Sequence, residues 1–343
     1  MLNYLKELCL INGTSGREEK VREYIISKIS DKADITVDPM GNVIAFVKGK
    51  KRAENKVMIS AHMDEVGFIV RYITDEGFLK FTPVGGVNEK VIFGRNVTVG
   101  DNDIPGVVCV KPIHLCEKDD LKKCPKIKDM TIDIGASSKE EAEKLVSVGD
   151  SVYFVSDYVE FGDGLIKAKA IDDRFGCAAM LKMIEEGVQY DTYFSFVVQE
   201  EVGLRGSKAA AFTIAPDYAV VLEATTASDI ADTPESDSVC FLGKGAAVSF
   251  MDRATLYNRE LFKMSREIAE KNSIAWQTKT TVAGGNDAGS IHLSRGGVYT
   301  LAISIPCRYI HSATCVANKK DMQSVYELAK LMSEEFANAS LDK

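Results

Sequence analysis

No run of consecutive basic residues longer than Lys50-Lys51-Arg52 occurs in the chain, and its net charge is −8. Nucleic acid and anionic membrane are therefore poor partners. No stretch approaches the roughly 20 apolar residues of a membrane span. The opening Met1–Leu8 is interrupted by Lys6 and Glu7, so no signal peptide is expected. The eight cysteines are scattered and none sits in a C-x-x-C pair. Reduced thiols and a cytoplasmic location are the expectation. Cys116 and Cys124, with His114 nearby, fit no zinc spacing. Internal repeats and low-complexity tracts are also missing. What remains is a chain of 343 residues, 45% hydrophobic, with enough apolar material for a large core and enough length for two domains.

Residues 15–31 read as an amphipathic helix, with Ser15 as cap, Glu18 three residues on, and a stripe of Val21, Tyr24, Ile25 and Ile29. Strands follow at 35–37 and 43–47, joined by the turn Pro39-Met40-Gly41-Asn42, and at 56–61, leading into His62. From 68 to 163 the character changes to short strands between glycine turns, with one helix expected at Ser138–Val146. This stretch reads as a small β-rich domain inserted into a larger one made of 1–67 and 164–343. Strands and helices then alternate: a helix over 174–186, strands over 192–198, 218–222 and 298–305, and helices over 255–271 and 320–338. The fold class expected is α/β, a mixed sheet flanked by helices with the inserted domain.

Acidic and histidine residues cluster at the carboxyl ends of these strands, where open α/β sheets place their sites. His62 and Asp64 are two apart at a strand end and face one side, so Asp64 can accept the second N–H of His62. Taken alone, H-x-D is equally read as a loop histidine beside a solvated aspartate. Asp172-Asp173-Arg174 lies between strand and helix: Asp172 can be shared by two metals, and Asp173 can support it or cap the helix. The bland alternative is a capping aspartate paired with Arg174. Glu200 and Glu201 follow an apolar strand and precede Gly203 and Gly206. Two adjacent carboxylates there need compensation, so one can bind metal while the other takes a proton. Glu223 ends another strand. His311 on its own reads as structural, but it completes a set of two histidines and three carboxylates. Zinc or cobalt suits that mixed nitrogen and oxygen set. His114, in the insertion, and His292, on a helix, are expected to be non-catalytic.

As an ordered set, these motifs resemble the tetrahedral, or TET, aminopeptidases, the family of glutamyl aminopeptidase, deblocking aminopeptidase and proteins misnamed cellulase M. The resemblance spans nearly the whole chain, from Asn12–Glu18 and Asp38–Asn42 through Ser60–Gly67, Ala170–Arg174, Glu200–Gly206 and Gly284–Ala288 to Ile305–Ser312. It implies a zinc-aminopeptidase-like fold and two divalent metal ions per subunit. His62, Asp172 and Glu223 would hold one ion; Asp172, Glu201 and His311 would hold the other. Glu200 would be the general base, with Asp64 beside it in the catalytic set. It further implies short peptides as substrates, an inserted domain used for dimerisation and oligomerisation, and a hollow assembly of twelve subunits built from dimers. Three departures stand out. Glutamate occupies position 223, where the family most often has aspartate. The loop Ala224–Ser236 lacks the common Asp-x-Pro-Gly form. The acidic residue often found after His311 is replaced by Ser312-Ala313-Thr314.

A related di-metal deacylase or carboxypeptidase could use the same centre, and comparing free-amine with acetylated peptides separates them. A non-catalytic scaffold is disfavoured because all six metal and base positions carry competent groups. Glycan hydrolysis would leave the histidine pair unexplained.

Overall fold

The computed structural model describes residues 1–119 and 122–341. Two helices open the chain, α1 (Leu2–Leu10) and α2 (Glu19–Ile29), followed by β1 (Asp34–Val37), β2 (Val43–Val47) and β3 (Val57–His62). Six short strands come next: β4 (Gly67–Ile73), β5 (Leu79–Val84), β6 (Asn96–Val99), β7 (Ile104–Cys109), β8 (Thr131–Asp133) and β9 (Ser151–Phe154), with α3 (Lys139–Ala142) before the last. The chain continues through β10 (Val159–Phe161), β11 (Leu165–Ala168), α4 (Ile171–Glu186), β12 (Thr192–Val197), α5 (Arg205–Ile214) and β13 (Tyr218–Thr226). It ends with β14 (Ala246–Ser249), α6 (Arg259–Lys271), β15 (Trp276–Lys279), α7 (Ala288–Ile291), β16 (Tyr299–Arg308), β17 (Cys315–Asn318) and α8 (Lys319–Phe336).

The large sheet runs β1-β2-β12-β3-β13-β16-β17-β11-β10, with β14 on β16 and β15 on β14. Its centre, β12-β3-β13-β16, is parallel, and its flanks are antiparallel. Parallel strands buried on both faces need continuous apolar sequence rather than alternation. Val57–His62 comes close to it, broken only by Ser60 before the closing His62, with every residue buried. α4 and α8 pack on the central strands and touch each other, while α5 and α7 meet beside β12 and β16. This is the mixed, helix-flanked α/β sheet expected.

β4, β5, β8, β7, β6 and β9 close into a separate barrel. Phe68 fills its centre, edge-on to Phe81 at 5.0 Å and Phe154 at 5.2 Å. The barrel ends at Phe154, earlier than the boundary at 163 read from the glycine turns. Val159–Phe161 pairs with β11 of the large sheet instead, because the turn at Gly162–Gly164 closes a hairpin whose second strand belongs to that sheet.

Other local expectations shift for physical reasons. Ser15 does not cap α2, because its hydroxyl donates to Asp64 Oδ2 at 2.6 Å, and α2 starts only at Glu19. α3 is a single turn capped by Ser138. α6 starts at Arg259, not 255, because Asn258 accepts the N–H groups of Glu260 and Leu261. β13 continues through Glu223 to Thr226, so Glu223 projects from within a strand.

Candidate metal centre

The parallel register brings the candidate residues together. β3 ends at His62, and Val221 of β13 pairs with Ser60, which sets Glu223 beside His62. After β11 the chain crosses a left-handed Ala170 (φ 53) and the non-helical Asp172 and Asp173 before α4 becomes regular. Asp172 thereby points at both imidazoles: His62 Nε2 lies 3.4 Å from Oδ1, and His311 Nε2 lies 3.5 Å from Oδ2. Glu201 Oε2 is 3.2 Å from His311 Nε2, and Glu223 Oε2 is 3.9 Å from His62 Nε2.

Three groups have ligand atoms within 4.8 Å of one another: His62, Asp172 and Glu223; Asp172, Glu201 and His311; and His62, Glu200 and Glu201. The first two share Asp172. The other ring nitrogens are occupied by the backbone, His62 Nδ1 by Asp64 O at 3.0 Å and His311 Nδ1 by Gly86 O at 3.1 Å. Both Nε2 atoms are thus left for the centre. Gly86 lies just past β5, so the barrel segment supplies one wall.

The sequence spacing offers Asp64 as the acceptor for the second N–H of His62. Its carboxylate stands 3.4 Å from Nδ1, but its main hydrogen bonds are from the N–H groups of Glu200 and Glu201 and from Ser15. The backbone carbonyl of Asp64 makes the shorter contact with His62. Asp173 accepts the Gly176 N–H at 2.9 Å, a capping role. Arg174 does not pair with Asp173: its guanidinium donates to the carbonyls of Leu8, Ile11, Met63 and Gly13. His114 belongs to a short turn in the insertion, and His292 bonds Ala288 O beyond α7. Neither joins a metal-competent group among the described residues.

Burial is the largest influence on the charges. It pushes the Glu200 and Glu223 carboxyls well above their ordinary range, partly opposed by His62. It brings Glu201 up to about 7 against the pull of His311. Asp172 is the exception, because its contacts with His311 and His62 outweigh burial and hold it low. Burial disfavours the charged imidazoles, yet Asp172 and Asp64 hold His62 well above its usual value, and Asp172 and Glu201 bring His311 to about 9. The protein alone thus leaves an excess of buried acid.

Cations fit this surplus. His62 Nε2 and Asp172 Oδ1 are buried without hydrogen-bond partners, the state expected of donor atoms shaped for coordination rather than for each other. The donors are imidazole and carboxylate, a set suited to zinc and its neighbours.

Three further buried residues surround the centre without a site role in the sequence reading, although Glu18 and Asp287 lie within its motifs. Asp287 is fully buried, bonds Ser207, and its N–H lies 3.5 Å from Glu223 Oε1. Lys169 bonds Glu65 and Asn12, each at 2.7 Å. Glu18 accepts the N–H of Gln199. The signal for Asp287 is its place in the Gly284–Ala288 motif of the resemblance, a segment that a strand-and-helix reading treats as loop.

An α/β sheet with such a centre at the carboxyl edge of its parallel strands, and a barrel inserted between two of the donors, defines a metal-competent hydrolase. The family model for M42 glutamyl aminopeptidase matches residues 41–328, and the chain belongs to that family of aminopeptidases. A provisionally named aminopeptidase of Acetivibrio thermocellus is 43% identical over 331 residues, 96% of this chain and 97% of its own. An aminopeptidase from the archaeon Desulfurococcus kamchatkensis superposes with a TM-score of 0.91 at 37% identity, covering 96% of this chain and 93% of its own. The TET1 peptidase of Pyrococcus horikoshii, which can assemble into a tetrahedron or a large octahedral shell, has a TM-score of 0.84 at 35% identity, covering 96% and 98%.

Proposed function

We propose that the chain removes N-terminal residues from short peptides. Two divalent cations, zinc or cobalt, would be held by His62, Asp172 and Glu223 and by Asp172, Glu201 and His311. The observation that carries this is Asp172, whose two oxygens face the two imidazoles at 3.4 and 3.5 Å. When bound, the cations would supply Lewis acidity to the scissile carbonyl and acidify water. Glu200 then takes the proton of the attacking water and returns it to the leaving amine. Asp64 acts beneath it, holding the backbone N–H groups of Glu200 and Glu201. The free α-amine of the substrate would be received by a cation and nearby side chains.

The proposal extends to assembly: a homo-oligomer of twelve subunits built from dimers, with the inserted barrel as contact surface. Likeness to the shell-forming Pyrococcus horikoshii peptidase supports it. All eight cysteines are free, which suits the cytoplasm. No helix among the described residues is long and apolar enough to cross a membrane.

The test compares wild type with Glu200→Gln on free-amine, N-acetylated and C-terminally amidated peptides, with zinc, cobalt or chelator. Cation-dependent release of N-terminal residues from free-amine peptides, lost in Glu200→Gln with bound cation retained, is expected. Activity retained in Glu200→Gln removes the base assignment. Cleavage of acetylated peptides alone, or from the C-terminus, replaces aminopeptidase by deacylase or carboxypeptidase.

A further inference from the structure

Beyond β12 the backbone turns to deliver Glu200 and Glu201, and four consecutive N–H groups of that turn donate to side chains from distant segments. Val198 N donates to Asn42 Oδ1 at 2.9 Å. Gln199 N donates to Glu18 Oε1 at 3.1 Å. Glu200 N and Glu201 N donate to Asp64 Oδ1 at 3.0 Å and Oδ2 at 3.1 Å. Backbone groups in a buried turn need partners from backbone, side chains or water. Here each one is claimed by a side chain.

Gln199 is the pivot. Its φ is +55, a left-handed conformation that a residue with a side chain holds only when its surroundings fix it. That conformation breaks the alternation of β12 and sends the next two side chains toward the centre. Two contacts fix Gln199 on either side, Glu18 at its N–H and the Arg205 N–H at its carbonyl, 3.2 Å away. Glu18 is itself held, being 3% exposed and accepting the Gly16 N–H at 2.8 Å. It precedes α2 directly, so the N-terminal segment is braced against the turn.

We propose that Glu18 is a positioning residue for the reaction: by fixing the Gln199 N–H it sets the direction in which Glu200 projects. Its carboxylate accepts from Gly16 and Gln199, neither of them a candidate cation ligand, and it acts through the turn. The inference rests on Glu200 being the general base.

The test uses the full chain loaded with zinc or cobalt and a free-amine peptide, comparing wild type, Glu18→Ala, Glu18→Gln and Glu18→Asp. Glutamine keeps an oxygen acceptor in place, alanine removes it, and aspartate retracts it by one methylene. Because misplacement by about 1 Å can cost roughly a hundredfold, Glu18→Ala should lose about ten- to a hundredfold in kcat. KM should stay near wild type, the pattern of a lost transition-state arrangement rather than lost binding. Glu18→Gln should restore most of the rate and Glu18→Asp should fall between, with bound cation per subunit unchanged throughout. Should Glu18→Ala fail to fold, the order of Glu18→Gln above Glu18→Asp still decides. The proposal is overturned if Glu18→Ala keeps its kcat, if glutamine is no better than alanine or aspartate, or if the loss tracks lost cation. Inactive Glu200→Gln alongside fully active Glu18→Ala sinks this inference alone; active Glu200→Gln sinks the base assignment and this with it.

Discussion

A single methyl group tests whether the two sides of the centre are as closely packed as described. Gly176 lies in α4, where glycine ordinarily costs about 1 kcal/mol relative to alanine, so Gly176→Ala on an open helix face would stabilise. Here the added Cβ would stand 2.4 Å from Asp173 Oδ2 and 2.7 Å from Ala61 Cβ. Asp173 adjoins Asp172, and Ala61 adjoins His62, so the methyl wedges between the neighbours of two candidate ligands. Overpacking of this kind costs roughly 1–3 kcal/mol, and subtracting the helix gain of about 1 kcal/mol leaves a net loss of up to about 2 kcal/mol. The assay is the unfolding midpoint with and without added zinc, together with bound cation per subunit. A lowered midpoint and weakened cation binding are expected. The control is Gly296→Ala, whose new Cβ meets nothing within 4 Å and whose φ is not left-handed; it should stay within about 0.5 kcal/mol of wild type. If Gly176→Ala matches that control in midpoint and cation content, the packing argument is wrong.

Two further outcomes follow from the same structure. In chelated protein, Asp287 at about 6, Glu201 at about 7 and His311 at about 9 all have raised folded-state pKa values, with burial the main cause for the two acids and contact with Asp172 and Glu201 overcoming burial for the imidazole. Groups raised on folding stabilise fully below their unfolded values, and that contribution is lost as pH rises through the folded ones. The midpoint should therefore fall between about pH 5 and pH 9, and added cation should oppose the fall because ligands bind deprotonated; a midpoint that climbs across the window refutes this. Phe68→Ala should cost about 3–5 kcal/mol in denaturant unfolding, since the ring is fully buried between Phe81 and Phe154, and a loss below about 1 kcal/mol would mean that the barrel core repacks.

The parts legible in the sequence are those set by period and by apolar runs. Val57–His62 and Thr192–Val197 announce themselves because a strand buried on both faces is near-continuously apolar, here broken inside only by Ser60 and Ser195, and the residues that end or follow them are the ones that converge. Less legible were features decided by partners distant in the chain. Ser15 has the composition of a cap, yet Asp64 takes its hydroxyl. Asp64 has the spacing to serve His62, yet the turn at Glu200–Glu201 takes most of its carboxylate. Val159–Phe161 looks like one more short strand of the insertion, and only its pairing with β11 assigns it to the large sheet. Asp287 sits in a glycine-flanked loop with no periodicity, so nothing local marks it as buried against Glu223.

The barrel also bears on how the centre can form. His62 and Asp172 lie at opposite ends of the insertion, and bringing such distant points together has an entropic cost that grows with the length of loop closed. β4 and β9, the first and last barrel strands, pair directly, with Phe68 opposite Val152. Once the barrel has closed on its own apolar core, its entry and exit are already neighbours, and only the short tethers on either side remain to be ordered. The long excursion between the two candidate ligands therefore behaves, for chain entropy, as a short one. A group of like-charged carboxylates could not have drawn those ends together; barrel burial does so without them.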